Sequence, residues 1–294
     1  MKILTLDVGG TAIKYALMNN GNIESPGEMP SEAKKGGPVL LKNIEKIIDS
    51  YSDYEAIGIS TTGQVDSNSG SIIYANENVP NYTGMKLKDI LEEKYKKPVF
   101  VENDVNAAAI GEAYYGAAKD EKDFICLTYG TGIGGAIIID GKVYGGAKGV
   151  AGEMGHIVTH PDGKECACGQ KGCYEQYASC TALVRNSCEA NPEWGSGRII
   201  FKEFYEGKKK AEEIINNWID EIVLGLATLV HIFNPSCIVL GGGIMNEKYI
   251  IDKVNALLPE KIMPSYRCVE ARHAQLGNNA GIYGMLAIVE QKLK

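Results

Sequence analysis

Ile3-Leu4-Thr5-Leu6-Asp7-Val8-Gly9-Gly10-Thr11 opens the chain, and Phe124-Ile125-Cys126-Leu127-Thr128-Tyr129-Gly130-Thr131-Gly132-Ile133-Gly134-Gly135 repeats its pattern in the second half. Each stretch is an apolar, β-prone run broken by a glycine turn. Each returns as a second strand, Lys14 to Met18 in one case and Ala136 to Ile139 in the other. Hairpin turn chemistry follows both times, at Asn19-Asn20-Gly21 and at Asp140-Gly141, and a third strand starts at Ile23 and at Lys142. Helices then alternate with strands. Pro38 to Tyr51 reads as an amphipathic helix with Leu41, Ile44, Ile47 and Ile48 on one face, and Ala56 to Ser60 as a buried strand. Lys86 to Tyr95 is a helix, Pro98 to Val101 a strand, and Val105 to Tyr115 a helix. In the second half a long helix, Ala211 to Phe233, leads to the strand Ile238-Val239-Leu240 and then Gly241-Gly242-Gly243. A βββαβα unit present twice predicts an α/β protein of two similar lobes around a cleft. The expected division is residues 1–118, joined by the C-terminal helix 279–294, against residues 119–278. An insert of loops and cysteines, Ala147 to about Gly207, sits in the second lobe.

The bulk composition agrees with two ordinary lobes. The chain has 294 residues, 45% hydrophobic and 23% charged, and about 100–200 residues make a domain. A net charge of −7 argues against a nucleic-acid partner, since phosphate backbones are held by clustered Lys and Arg. Lys208-Lys209-Lys210 is too short a run to change this. The longest apolar run, Ile222 to Phe233, is interrupted by Gly225, Thr228 and His231 and falls short of the ~18 residues of a membrane span. No basic start and unbroken apolar stretch marks a targeting segment. The eight cysteines are clustered rather than spread, which suits metal binding in a reducing cytoplasm better than a disulfide scaffold.

Four short segments carry chemistry. In Asp7-Val8-Gly9-Gly10-Thr11, glycines let backbone N–H groups approach phosphate oxygens. Asp7 is placed to hold magnesium, directly or through water, with Thr11 and Lys14 in reach of phosphate. Gly130-Thr131-Gly132 offers a second phosphate cradle; it lies between two strands and lacks the Gly-Lys-Ser/Thr of a Walker loop. Either segment alone also reads as a plain hairpin. Gly241-Gly242-Gly243 is bare backbone for a ring or ribose, or equally a strand-to-helix turn. Asn103-Asp104 ends a strand, where a carboxylate can accept a hydroxyl proton during phosphoryl transfer. The same pair also reads as a helix cap for Val105 onward.

The cysteines are more specific. His156 with Cys166-Ala167-Cys168-Gly169-Gln170-Lys171-Gly172-Cys173 supplies three thiolates and an imidazole, the donors of a tetrahedral zinc site. Gly169 and Gly172 let the loop fold back on itself. A Cys166–Cys168 disulfide would close a small strained ring. Four protein ligands leave no open position, so such a zinc is structural. Glu153 and Glu175 flank the cluster; with His156 they read as a bed for sugar hydroxyls, or each Glu alone as a solvated surface charge. Cys126, Cys180, Cys188 and Cys237 read as small core residues. His160, His231 and His273 read as structural.

Together these residues resemble the ROK sugar kinases, a branch of the actin-like ATPase (ribonuclease H-like) superfamily that includes hexokinase. The likeness runs over nearly the whole chain. Asp7 to Thr11 is similar to the family's first phosphate loop, Thr128 to Gly135 to its second, and Glu102-Asn103-Asp104-Val105-Asn106-Ala107-Ala108 to its catalytic segment. Gly152-Glu153-Met154-Gly155-His156 followed by Cys166-x-Cys168-Gly169-x-x-Gly172-Cys173-x-Glu175 is similar to its long signature. The resemblance implies a duplicated actin-like fold, Asp104 as catalytic base, and Gly63, Asn103, Glu153, His156 and Glu175 as sugar contacts. It further implies zinc on His156, Cys166, Cys168 and Cys173, magnesium with ATP, and a homodimer. The implied substrate is a hexose phosphorylated on its 6-hydroxyl, glucose first. N-acetylmannosamine, an N-acetylhexosamine, is second, because one Glu-His-Glu set serves both in the family. Thr62-Gly63 stands where many members have Pro-Gly, which leaves the sugar open. A sugar-responsive regulator of the same family would need a helix-turn-helix and a basic face; a zinc-stabilised sugar-binding module would not need two phosphate loops.

Overall fold

The computed structural model describes residues 1–294. The chain divides into two compact units. Met1–Asp120 forms the first with Lys142–Ala151 and Asn278–Lys294; Glu121–Gly141 and Gly152–Gly277 form the second.

The first unit begins with strands β1 (Lys2–Val8), β2 (Ala12–Asn19) and β3 (Asn22–Pro30). Helix α1 (Gly37–Asp49), strand β4 (Ala56–Thr61) and a short hairpin of β5 (Gln64–Asp66) and β6 (Ser71–Tyr74) follow. Helix α2 (Leu87–Tyr95), strand β7 (Val99–Asn103) and helix α3 (Asp104–Tyr115) complete the main run. The sheet order is β3-β2-β1-β4-β7. Alternation along the strands gives the sheet two apolar faces. Leu4, Leu6, Val8, Ile57, Ile59, Val99 and Val101 pack with Leu40, Ile44, Ile47 and Ile48 of α1. The buried face of α1 thus carries Leu40, with Leu41 only packed at the margin, because positions 40, 44, 47 and 48 lie in one stripe.

The second sheet repeats the plan, its edge strand falling in the Lys142–Ala151 segment grouped with the first unit. Strands β8 (Phe124–Tyr129), β9 (Ile133–Ile139) and β10 (Lys142–Val143) lead to helices α4 (Glu175–Ala178), α5 (Cys180–Ala190), α6 (Gly197–Tyr205) and α7 (Lys209–Phe233). Strand β11 (Cys237–Gly241), helix α8 (Lys248–Lys261) and strand β12 (Glu270–His273) follow. The sheet order is β10-β9-β8-β11-β12, the same order as in the first sheet once the equivalent strands are matched. The insert is not all loop: α5 and α6 lie within it, each capped by a serine, Ser179 and Ser196. Helix α7 buries Trp218, Ile219, Ile222, Val223 and Leu226. Trp218 donates from its indole nitrogen to the carbonyls of Ala178 and Ser179 at 2.9 and 3.0 Å, which ties α7 to the end of α4. Gly225 of α7 leaves room for the Tyr174 ring, and Tyr174 hydrogen-bonds Tyr129 at 2.8 Å. Cys126 and Cys237 are buried as expected, but Cys180 and Cys188 are only half-buried and Cys268 is exposed. His160 stacks on Tyr177 with 3.9 Å between centroids, and His231 and His273 make single hydrogen bonds to Met263 and Asn246.

The chain's last helix, α9 (Ala280–Lys292), closes the other face of the first sheet. Ile282, Leu286 and Val289 cover Ile3, Ala16, Met18 and Ala56. A side chain at Gly284 would collide with the Ala107 carbonyl of α3, so glycine there lets the two helices approach backbone to backbone. No helix is long and apolar enough to cross a membrane.

Candidate active site

Strand register in the first unit assembles a polar row. Asp7 pairs with Lys14 of β2 on one side and with Ser60 of β4 on the other, and Ser60 pairs with Glu102 of β7. Partners in register share a face, so Lys14, Asp7, Ser60 and Glu102 line up across four strands on the side that α9 covers. Ser60 donates to Asp7 Oδ1 at 2.8 Å. A Cβ at Gly281 of α9 would stand 2.7 Å from the Asp7 carboxyl carbon and 2.8 Å from Ser60 Oγ, so this helix position must be bare. Burial pushes the Asp7 pKa up, while the Ser60 hydroxyl and the Lys14 charge pull against it.

Asp104 follows this row at the first position of α3. Its Oδ1 accepts from the Val105 N–H at 2.9 Å and from Asn103 Nδ2 at 3.0 Å. Burial, reinforced by the negative charge of Asp7, pushes its pKa up to about 7. Asn103 is the N-cap: its Oδ1 accepts from the N–H groups of Val105 and Asn106 at 2.9 and 3.1 Å. The cap and the base are alternative readings of Asn103-Asp104 in sequence; the structure makes the first residue the cap and leaves the second carboxyl within the electrostatic influence of Asp7. Asn103 also donates to the Gly63 carbonyl at 2.9 Å, so its amide is fully engaged. Gly63 has φ +94° and no room for a side chain, since a Cβ would stand 2.8 Å from the Tyr74 carbonyl. Gly9 closes the first hairpin by donating to the Ala12 carbonyl at 3.0 Å, and Gly10 and Thr11 are exposed at its tip.

In the second unit the four metal donors of His156, Cys166, Cys168 and Cys173 lie within 4.8 Å of one another. Cys168 Sγ is 3.5 Å from Cys173 Sγ, and Cys166 Sγ is 3.7 Å from His156 Nδ1. A zinc tetrahedron with Zn–S bonds of about 2.3 Å has edges of about 3.8 Å, so the cluster is compatible with a structural zinc. Gly169 and Gly172 turn the loop with φ +89° and +78°. His156 closes a short 3₁₀ turn, with Glu153 exposed at its start.

Glu175, the first residue of α4, connects this cluster to the second glycine hairpin. Its Oε1 lies 3.1 Å from Cys166 Sγ, and its Oε2 accepts from the Ile133 N–H at 3.4 Å. A side chain at Gly132 would collide with that same oxygen. Gly130 and Thr131 are exposed at the hairpin tip. Gly242 has φ +106°, and its Cβ would collide with the Tyr129 backbone, so the turn itself requires glycine there. Gly241 and Gly243 are spacious positions: at Gly241 the nearest atom to a Cβ is 3.4 Å away, and at Gly243 none lies within 4 Å.

Sequence reading assigned no role to Ser60, Glu102, Asn106 and Gly281. Alternation along β7 was the available signal for Glu102, since Val99 and Val101 face one core and leave Phe100 and Glu102 on the other side. Ser60 and Gly281 are reached only through long-range pairing.

The ROK family model matches residues 3–292. The chain belongs to the ROK family. It is 30% identical to a glucokinase of Thermotoga maritima, over all of this chain and 98% of that one. A ROK family glucokinase of Streptomyces griseus, solved with glucose and AMPPNP, is 33% identical and superposes with a TM-score of 0.85, covering 99% of this chain and 100% of that one. A Listeria monocytogenes protein described as a candidate N-acetylmannosamine kinase is 28% identical with a TM-score of 0.89, over 99% of this chain and 100% of that one. This ROK chain has the actin-like ATPase fold of these structures.

Proposed function

We propose that this ROK protein is an ATP-dependent sugar kinase that transfers the γ-phosphoryl group of ATP to the 6-hydroxyl of a hexose, with glucose as the first substrate. The observation that carries the reading is Asp104. Its carboxyl is held by two donors on Oδ1, and burial beside Asp7 raises its pKa to about 7. A carboxylate so placed is matched to accepting a hydroxyl proton near neutral pH. As the sugar oxygen attacks phosphorus, the new O–P bond forms, the β–γ bridging bond breaks toward ADP, and the hydroxyl proton passes to Asp104. Glu153, His156 and Glu175 would bind sugar hydroxyls; Asn103 and Gly63 would do so only by exchanging a present bond, such as the one between them, for a hydroxyl. Gly9, Gly10, Thr11 and Lys14 would form one set of phosphate donors, and Gly130, Thr131 and Gly132 a second set on its own hairpin. Gly241 and Gly243 would leave backbone free against the nucleoside.

Asp7 would hold the magnesium that accompanies ATP, directly or through water. Bound there, magnesium neutralises charge on the phosphates. His156, Cys166, Cys168 and Cys173 would hold zinc, which fixes the loop bearing Glu175 and, with four protein ligands, stays out of the chemistry. An intact Asp104 favours a kinase over a regulator or a plain sugar-binding module. N-acetylmannosamine is the second substrate to test, on the strength of the shared Glu-His-Glu set and the Listeria neighbour.

A coupled ADP-release assay over glucose, mannose, fructose, N-acetylglucosamine and N-acetylmannosamine tests the reading. The expected result is one sugar preferred by about 100-fold or more in kcat/KM, the size of discrimination that placed hydrogen bonds supply. Equal turnover on all five, or none on any, would overturn it.

A further inference from the structure

We propose that Glu102 is a positioning residue for Asp104, acting through Asn103 and Asn106. The inference rests on reading Asp104 as the base. Glu102 is only 7% exposed, and a carboxylate is costly to bury unless its bonds are used. It sits next to the end of β7, and its Oε1 accepts from the Asn103 backbone N–H at 2.9 Å and from Asn106 Nδ2 at 3.0 Å. One oxygen therefore holds both the last residue of the strand and a side chain from the first turn of the helix. Asp104 lies between these two anchors.

Capping alone does not require this arrangement. Asn103 Oδ1 already satisfies the free N–H groups of Val105 and Asn106. What Glu102 adds is a fixed direction for Asn103, whose Nδ2 then bonds Asp104 Oδ1 and the Gly63 carbonyl. With Oδ1 held in this way, Oδ2 is the oxygen left to receive the proton. The chain of contacts runs from Glu102 to Asn103 and Asn106, and from Asn103 to Asp104. A displacement of about 1 Å at a catalytic group can lower the rate by about 100-fold, so loss of this anchor should read out in kcat.

The test compares E102Q, E102A and N106A with the wild type. All are assayed about 15 °C or more below their own melting temperatures, a margin of about four to eight steps of 1 kcal/mol for a large chain. E102Q keeps an acceptor oxygen and is expected to hold kcat within about threefold of wild type. E102A should lose about 30- to 100-fold in kcat with KM for sugar and ATP within about threefold. Its acid limb of kcat should move to higher pH, since Asp104 then loses a donor that favours its charged form. N106A removes one anchor and should lose about tenfold, and E102A/N106A should be no worse than E102A, as expected for residues acting as one unit. If E102A does not fold, the contrast between E102Q and N106A decides. Wild-type kcat in E102A or, where E102A is unfolded, in N106A overturns the proposal, as does an E102Q as damaged as E102A. D104N separates the two readings: an active D104N defeats the base assignment, whereas an inactive D104N beside a fully active E102A defeats the positioning role alone.

Discussion

The two sheets share one strand order, yet their equivalent positions carry opposite chemistry. In the first unit the register gives Lys14, Asp7, Ser60 and Glu102, a polar row on the face that α9 covers, with Ser60 and Glu102 buried. In the second, Thr128 pairs with Gly134 and with Gly241, so the same row is threonine flanked by glycines. One copy keeps carboxylates, whose pKa values burial raises. The other keeps bare backbone, suited to close approach by a ligand. On the proposed reading, the two copies of one fold divide their labour, carboxylates in one and bare backbone in the other.

The comparison predicts large effects first. Asp104→Asn should lower kcat by about 1,000-fold, the scale of a lost general base, while sugar binding measured by calorimetry stays within about threefold. Retained turnover would place the base elsewhere. The same variant should be more stable at high pH. Raising an acid's folded pKa makes the native state bind the proton more tightly, so stability falls as pH rises from about 4 to about 7 and stays low above. Asparagine escapes this loss, and D104N is expected to melt above wild type at pH 8, with the gap shrinking toward pH 5.

Cys166→Ser with Cys173→Ser should remove bound metal, read by elemental analysis, and lower the melting temperature by about 10 °C or more, because structural zinc contributes directly to folding. An unchanged melting curve would show that the loop holds without metal. Gly281→Ala should cost about 10- to 100-fold in kcat/KM for ATP, since its methyl must displace Asp7 or Ser60 and overpacking costs about 1–3 kcal/mol. Gly241→Ala is the matching change in the second unit. Its Cβ meets nothing closer than 3.4 Å, so stability should hold within about 0.5 kcal/mol. KM for ATP should rise about tenfold if backbone there faces the nucleotide. Identical outcomes for the two glycines would erase the contrast between the halves.

Much of this was legible in the chain. The glycine turns, the hairpins and the metal-ligand spacing are local signals, and local signals survive in a sequence. Strand β12 was not legible: Glu270 and Arg272 alternate with Ala271 in only four residues. Helix α8 hides behind Pro259 and a weak apolar stripe. Helices α5 and α6 were lost among the cysteines and glycines of the insert. The roles of Ser60, Glu102 and Gly281 come from partners far along the chain, which no local pattern encodes. Gly132 and Gly242 were visible as glycines, but one steric demand on each was not: the first makes room for Glu175 and the second for the Tyr129 backbone.

The most direct measurement is a carbon-13 NMR titration of aspartate carboxyls, with Asp104 assigned by its absence in D104N. The account requires one resonance titrating near pH 7 that disappears in the variant. If every aspartate titrates below about pH 5, near the ordinary range, the carboxyl at the head of α3 is not poised as a base, and the division of labour between the two units loses its chemical content.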